Sequence, residues 1–63
     1  MKYNYKDKEL VLDDSLVREY EKLSGSTFSD TDIEYLIKHD KLSDNNLSTV
    51  IERQIKEELA VLS

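Results

Sequence analysis

Two hydrophobic periods divide the chain. Tyr3 and Tyr5 stand two apart among Lys2, Asn4 and Lys6, and Leu10 and Leu12 repeat the spacing. Such alternation suits strands with one buried face. The polar Lys6-Asp7-Lys8-Glu9 between them predicts a turn, although it lacks the Asn-Gly or Asp-Gly of the tightest hairpins. An extended arm is the alternative, because a lone two-stranded hairpin is barely stable without packing. From Leu16 the period lengthens. Leu16, Val17, Tyr20 and Leu23 recur at helical spacing, with Arg18, Glu19, Glu21 and Lys22 on the opposite face. Asp13-Asp14-Ser15 supplies a cap and first-turn carboxylates, and Gly25 stands where a left-handed C-terminal cap belongs. The first helix is expected over 14–24.

Two later stretches open a helix in one way. Phe28-Ser29-Asp30-Thr31-Asp32-Ile33 and Leu42-Ser43-Asp44-Asn45-Asn46-Leu47 share the order apolar, Ser, Asp, two polar residues, apolar. Each Ser is placed to cap a first turn, and each flanking apolar pair to form a hydrophobic staple. The second helix is expected over 30–39, carrying Ile33, Leu36 and Ile37 inward. The third is expected over 44–62, with a stripe of Leu47, Val50, Ile51, Ile55, Leu59 and Leu62 and an i,i+4 pair of Glu52 with Lys56. At that length it would run about 28 Å, more than two short helices and a hairpin readily cover. Ile55, Leu59, Val61 and Leu62 are therefore expected to be covered by the hairpin or by a second copy of the chain, a homodimer through the C-terminal helix. The fold class is mainly α (α+β): a single domain over 1–63, with three helices after an N-terminal β-hairpin or extended arm over 1–12.

Composition narrows how such a chain can be stable. At 63 residues it buries only about 60% of the surface its unfolded form exposes. Without cysteine it has neither disulfides nor thiolate metal sites. Regular helix packing, a partner, or both must supply stability. One Gly and no Pro argue against linkers and disorder. No apolar run approaches a membrane span, and Met1-Lys2-Tyr3-Asn4-Tyr5-Lys6 lacks that of a signal peptide, so the expected location is cytoplasmic. The net charge of −5 is uneven: residues 1–25 hold five basic and six acidic side chains, residues 26–63 four and eight. An acidic helical half meets a basic protein surface more readily than phosphates.

Catalytic chemistry finds little to stand on. His39, the only histidine, lies between Lys38 and Asp40 near a helix C-terminus, where the dipole favours a cation. Asp30, Asp32 and Glu34 imitate the alternating carboxylates of a calcium loop, but Tyr35 occupies the position of the turn glycine and Lys41 that of the closing glutamate. No catalytic residue, cofactor or metal site is expected. Tyr3, Tyr5, Asp30, Asp32, Glu34 and Tyr35 are instead the candidates for binding a protein partner, since Tyr is enriched at binding hot spots. Size and charge are those of accessory factors encoded by phages and mobile elements, which often inhibit host enzymes.

The stretch Leu36-Ile37-Lys38-His39-Asp40-Lys41-Leu42-Ser43-Asp44-Asn45-Asn46-Leu47-Ser48-Thr49-Val50-Ile51 resembles a helix-turn-helix DNA reader in its spacing. It departs from that pattern at Lys41, where the turn glycine usually stands, and at Ile37, where a small residue does. The resemblance implies a groove-facing set of Asp44, Asn45, Ser48, Thr49 and Arg53, with Lys38, Lys41 and Lys56 toward phosphates. The leading expectation is a small acidic protein-binding module, inhibitor or regulatory factor; a helix-turn-helix transcriptional regulator is the alternative.

Overall fold

The computed structural model describes residues 1–41 and 45–62. Strands β1 (Lys2–Tyr5) and β2 (Lys8–Val11) form an antiparallel hairpin, followed by helices α1 (Asp14–Ser24), α2 (Asp30–His39) and α3 (Leu47–Leu62). The mainly-α, three-helix architecture with an N-terminal hairpin is thus present.

The hairpin is tighter than the sequence suggests. Tyr5 pairs with Lys8, leaving Lys6 and Asp7 alone in the loop, at φ of 46° and 65°. Both residues take the left-handed conformation that a two-residue turn of the I′ type demands. Non-glycine residues adopt it at some cost, and Lys6 is held there by two further contacts. Its Nζ lies 5.3 Å from the Tyr5 ring centroid and 3.6 Å from Glu34 on α2. Direct pairing of Tyr3 with Leu10 places both over the core. Tyr5, expected among the partner-binding residues, is instead buried in it at 7% exposure. A strand face that must cover a helical layer has no reason to leave its largest apolar ring in water.

Local capping sets α1 and α2. Asp13 accepts the amides of Ser15 (2.8 Å) and Leu16 (3.4 Å), and Gly25 closes α1 at φ 76° with its N–H on the Glu21 carbonyl. The Ser29 amide donates to Asp32 (3.0 Å) in a capping box, with Phe28 and Ile33 buried together beneath it. Helix α3 begins later than expected. The Asn46 side chain accepts the amides of Ser48 (3.0 Å) and Thr49 (3.4 Å), and its carbonyl takes the Val50 amide. Asn46 is thus the cap, and Asn45 precedes the helix rather than sitting inside it. The expected Ser43 cap, the Leu42–Leu47 staple and Asp44 lie outside the described residues.

Helix α3 touches α1, α2 and β2, and its Ile51 and Ile55 are fully buried. Leu36 of α2 meets that seam, with Ile37 and Leu47 half-buried against the cluster. Phe28 joins the layers: its ring makes edge contacts with Tyr3 (5.6 Å) and Tyr20 (6.0 Å), and its amide donates to Glu21 at 2.9 Å. Asp40 ends α2 and turns its carboxylate inward to Arg53 (2.8 Å) and Gln54 (3.3 Å) on α3. Glu52, expected to pair with Lys56, reaches across to the Asp13 amide (3.1 Å) and ties α3 to the start of α1.

The α3 surplus is largely consumed in this packing. Ile55 is core and Leu59 packs partly buried against it, so neither stands fully open to a second copy of the chain. Val61 remains exposed at 78%, and the Leu62 side chain lies outside the described residues.

Two substitutions test these local causes. Asp7→Gly should raise stability in urea denaturation followed by circular dichroism, by about 0.5–1 kcal/mol, because glycine enters the left-handed region without steric cost. Asn46→Ala should lower it by about 1 kcal/mol, the usual cost of a lost N-cap.

Candidate functional site

Helix α2 carries four of the six residues expected to meet a partner, and its pitch divides them. Asp30 and Glu34, one turn apart, lie against the hairpin. The Tyr3 hydroxyl donates to Asp30 Oδ1 at 2.7 Å, and Lys6 pairs with Glu34 at 3.6 Å. With Tyr5 buried, this half of the expected surface serves internal structure: it holds the hairpin on α2.

Asp32 and Tyr35 face the other way. With Tyr20, Leu23 and Ser24 of α1, Thr31 of α2 and Glu58 of α3 they line a groove of about 300 Å³ where the three helices meet. Leu23 and Tyr35 are exposed large apolar side chains, and Tyr20 lies nearly buried between them. His39 stacks at a tilt on Tyr35, with ring centroids 4.4 Å apart, extending the aromatic wall. Asp32 and Glu58 supply negative charge, and burial together with those two carboxylates pushes the Tyr20 phenol upward.

Of the residues lining this groove, the sequence singles out Asp32 and Tyr35 and gives no sign that Tyr20, Leu23 and Glu58 join them. Leu23 continues the α1 stripe, so periodicity alone places it in the core. It falls in the last turn, however, beside the Gly25 exit, where no further element covers it. Only the tertiary arrangement brings Glu58 beside it.

Of the groove-facing set implied by the helix-turn-helix resemblance, the structure describes Asn45, Ser48, Thr49 and Arg53. Asn45 and Thr49 are exposed and Ser48 half-buried at the start of α3. Arg53 turns instead toward α2, in the ion pair with Asp40, whose side chain is only 4% exposed. A wider, open depression beside α1, lined by Arg18, Glu21, Lys22 and residues 25–27, carries no aromatic ring. Among the described residues no group of three or more His, Cys, Asp or Glu could hold a metal ion, and no helix is long and apolar enough to cross a membrane.

The Tyr3–Asp30 bond has a pH signature. Donation to Asp30 and, secondarily, burial push the Tyr3 phenol from its ordinary value up to about 12. A raised folded value means that the neutral phenol stabilises the fold. That contribution is complete below about pH 10 and is lost as the pH climbs through the folded value. Thermal denaturation should therefore show a loss of stability between about pH 10 and pH 12 that is smaller in Tyr3→Phe, which has no proton to lose. Phenolate absorbance should show the latest-titrating tyrosine disappearing in that variant.

No family model, curated protein or solved structure matches this chain.

Proposed function

We propose that the chain is a small, acidic, non-enzymatic protein-binding module of the cytoplasm, an inhibitor or regulatory accessory factor of the kind phages and mobile elements encode. The observation that carries this reading is the groove itself. Leu23 and Tyr35 stay exposed beside it in a protein whose other large apolar side chains mostly serve a thin core. An aromatic and a leucine framing a concave surface, with carboxylates at the edge, have the composition of a binding hot spot. The net charge of −5 selects a basic protein surface as the partner.

The pairing of Arg53 with Asp40 weighs against a DNA reader, since it commits one of the four cations of the helical half to an internal contact. Self-association through α3 does not enter this reading, because Ile55 and Leu59 are engaged in the core.

Immobilised protein exposed to a lysate of the encoding organism should recover a specific protein with a basic surface, identified by mass spectrometry. Recovery should fall about tenfold or more in Tyr35→Ala and Leu23→Ser, the scale of a hot-spot loss, and persist in Lys8→Ala. Sequence-specific duplex binding with a steep salt dependence, and no protein recovered, would overturn the proposal in favour of the helix-turn-helix alternative.

A further inference from the structure

The groove has a chemistry more specific than a general hot spot. Tyr20 is 7% exposed, and its hydroxyl has no hydrogen-bond partner among the described residues. The ring is buried while the hydroxyl oxygen keeps contact with solvent, so it is open to a hydrogen bond from a group that enters the groove. The field around it is negative: Asp32 and Glu58 both act on it and, with burial, disfavour its ionisation. Asp32 uses Oδ2 for the Ser29 amide, which leaves Oδ1 without a bond from the described residues. Leu23 and the Tyr35 ring supply apolar flanks.

We infer that this groove receives one arginine side chain from a basic protein partner. The inference rests on the binding-module reading for its partner and on the groove's own side chains for the arginine. The methylene stem has Leu23 to lie against. The guanidinium stacks flat on an aromatic ring such as Tyr35 and donates in-plane to carboxylates such as Asp32 and Glu58. Its fork has N–H groups to spare for the Tyr20 hydroxyl, which can accept as well as donate. A volume of about 300 Å³ is at the small end of the range for ligand sites, in keeping with a single inserted side chain. A second copy of this chain would bring another −5 to the carboxylates, and nucleic acid would bring phosphates; neither matches their charge.

The test is a titration of the isotopically labelled full chain, followed by amide shifts. The probes are a blocked Gly-Ser-Arg-Ser-Gly peptide and its citrulline counterpart, which keeps the side-chain shape and loses the charge. The arginine peptide should give saturable shifts centred on Tyr20, Leu23, Tyr35 and Glu58, and the citrulline peptide should not saturate over the same range. Glu58→Gln should weaken binding about fivefold, near the upper value for a partly exposed ion pair. Glu57→Gln, which removes the same charge outside the groove, should leave it unchanged. Tyr20→Phe should keep the thermal midpoint and still weaken binding, which separates a recognition role for the hydroxyl from a structural one. Equal response to both peptides, or equal weakening by Glu57→Gln and Glu58→Gln, would overturn the inference. The titration is independent of lysate capture: a recovered partner with no arginine preference removes this inference alone, whereas arginine binding with no recovered partner removes the module reading alone.

Discussion

A chain of this size has apolar material for one core, and it builds that core around α3. Ile51 and Ile55 have no exposed surface, and α1, α2 and β2 all rest on the helix that carries them. Truncating a buried isoleucine to alanine typically costs about 2–5 kcal/mol. The whole stability of a 63-residue domain is roughly 3–9 kcal/mol at the usual value per residue. Either isoleucine therefore represents a large share of what separates folded from unfolded chain. The polar contacts act on this foundation by fixing positions. Asp40 reaches Arg53 and Gln54 from the end of α2, and Glu52 reaches the Asp13 amide before α1. Both hold α3 at defined points against its neighbours. An inward-facing carboxylate such as Asp40 is tolerable only while its partners stay in place, so it opposes sliding of α2 along α3.

The aromatic residues divide between cohesion and display. Phe28 contacts Tyr3 on one side and Tyr20 on the other, linking hairpin, connecting loop and first helix through edge-to-face pairs. Tyr5 lies in the core below the turn. Tyr35 alone among the tyrosines presents a large exposed ring, and it sits on the side of α2 that the hairpin does not cover. Leu23 of α1, also exposed, lines the same groove.

Local signals are legible in the sequence and tertiary ones are not. The bounds of α1 and α2 follow from Asp13, Gly25 and Ser29 because a cap acts within one turn of its own residue. The same logic misleads at α3: the stretch from Leu42 copies the one from Phe28, yet Asn46 also carries a capping oxygen, closer to the helix body. Local chemistry cannot rank two competent caps three residues apart. The left-handed Lys6 and Asp7 are equally hidden, since the pairing of Tyr5 with Lys8 forces the short loop on residues that do not prefer it. Sequence pattern puts Leu23 on the wrong side of the surface for a physical reason. Periodicity says which residues share a face, whereas coverage of that face depends on elements far along the chain.

That distinction explains why the groove emerges only with the fold. Four acidic and aromatic residues on α2 look like one continuous surface when read in order, but a helix turns 32 and 35 away from 30 and 34. The hairpin then takes one side, using Tyr3 on Asp30 and Lys6 on Glu34. Those two carboxylates are drawn into holding the structure together, and a partner would have to compete with bonds already made. On the other side Asp32 and Tyr35 meet Tyr20, Leu23 and Glu58 from two other helices. The hairpin leaves this side of α2 open to solvent. In a molecule this small, placing the hairpin decides which acidic face is structural and which remains open.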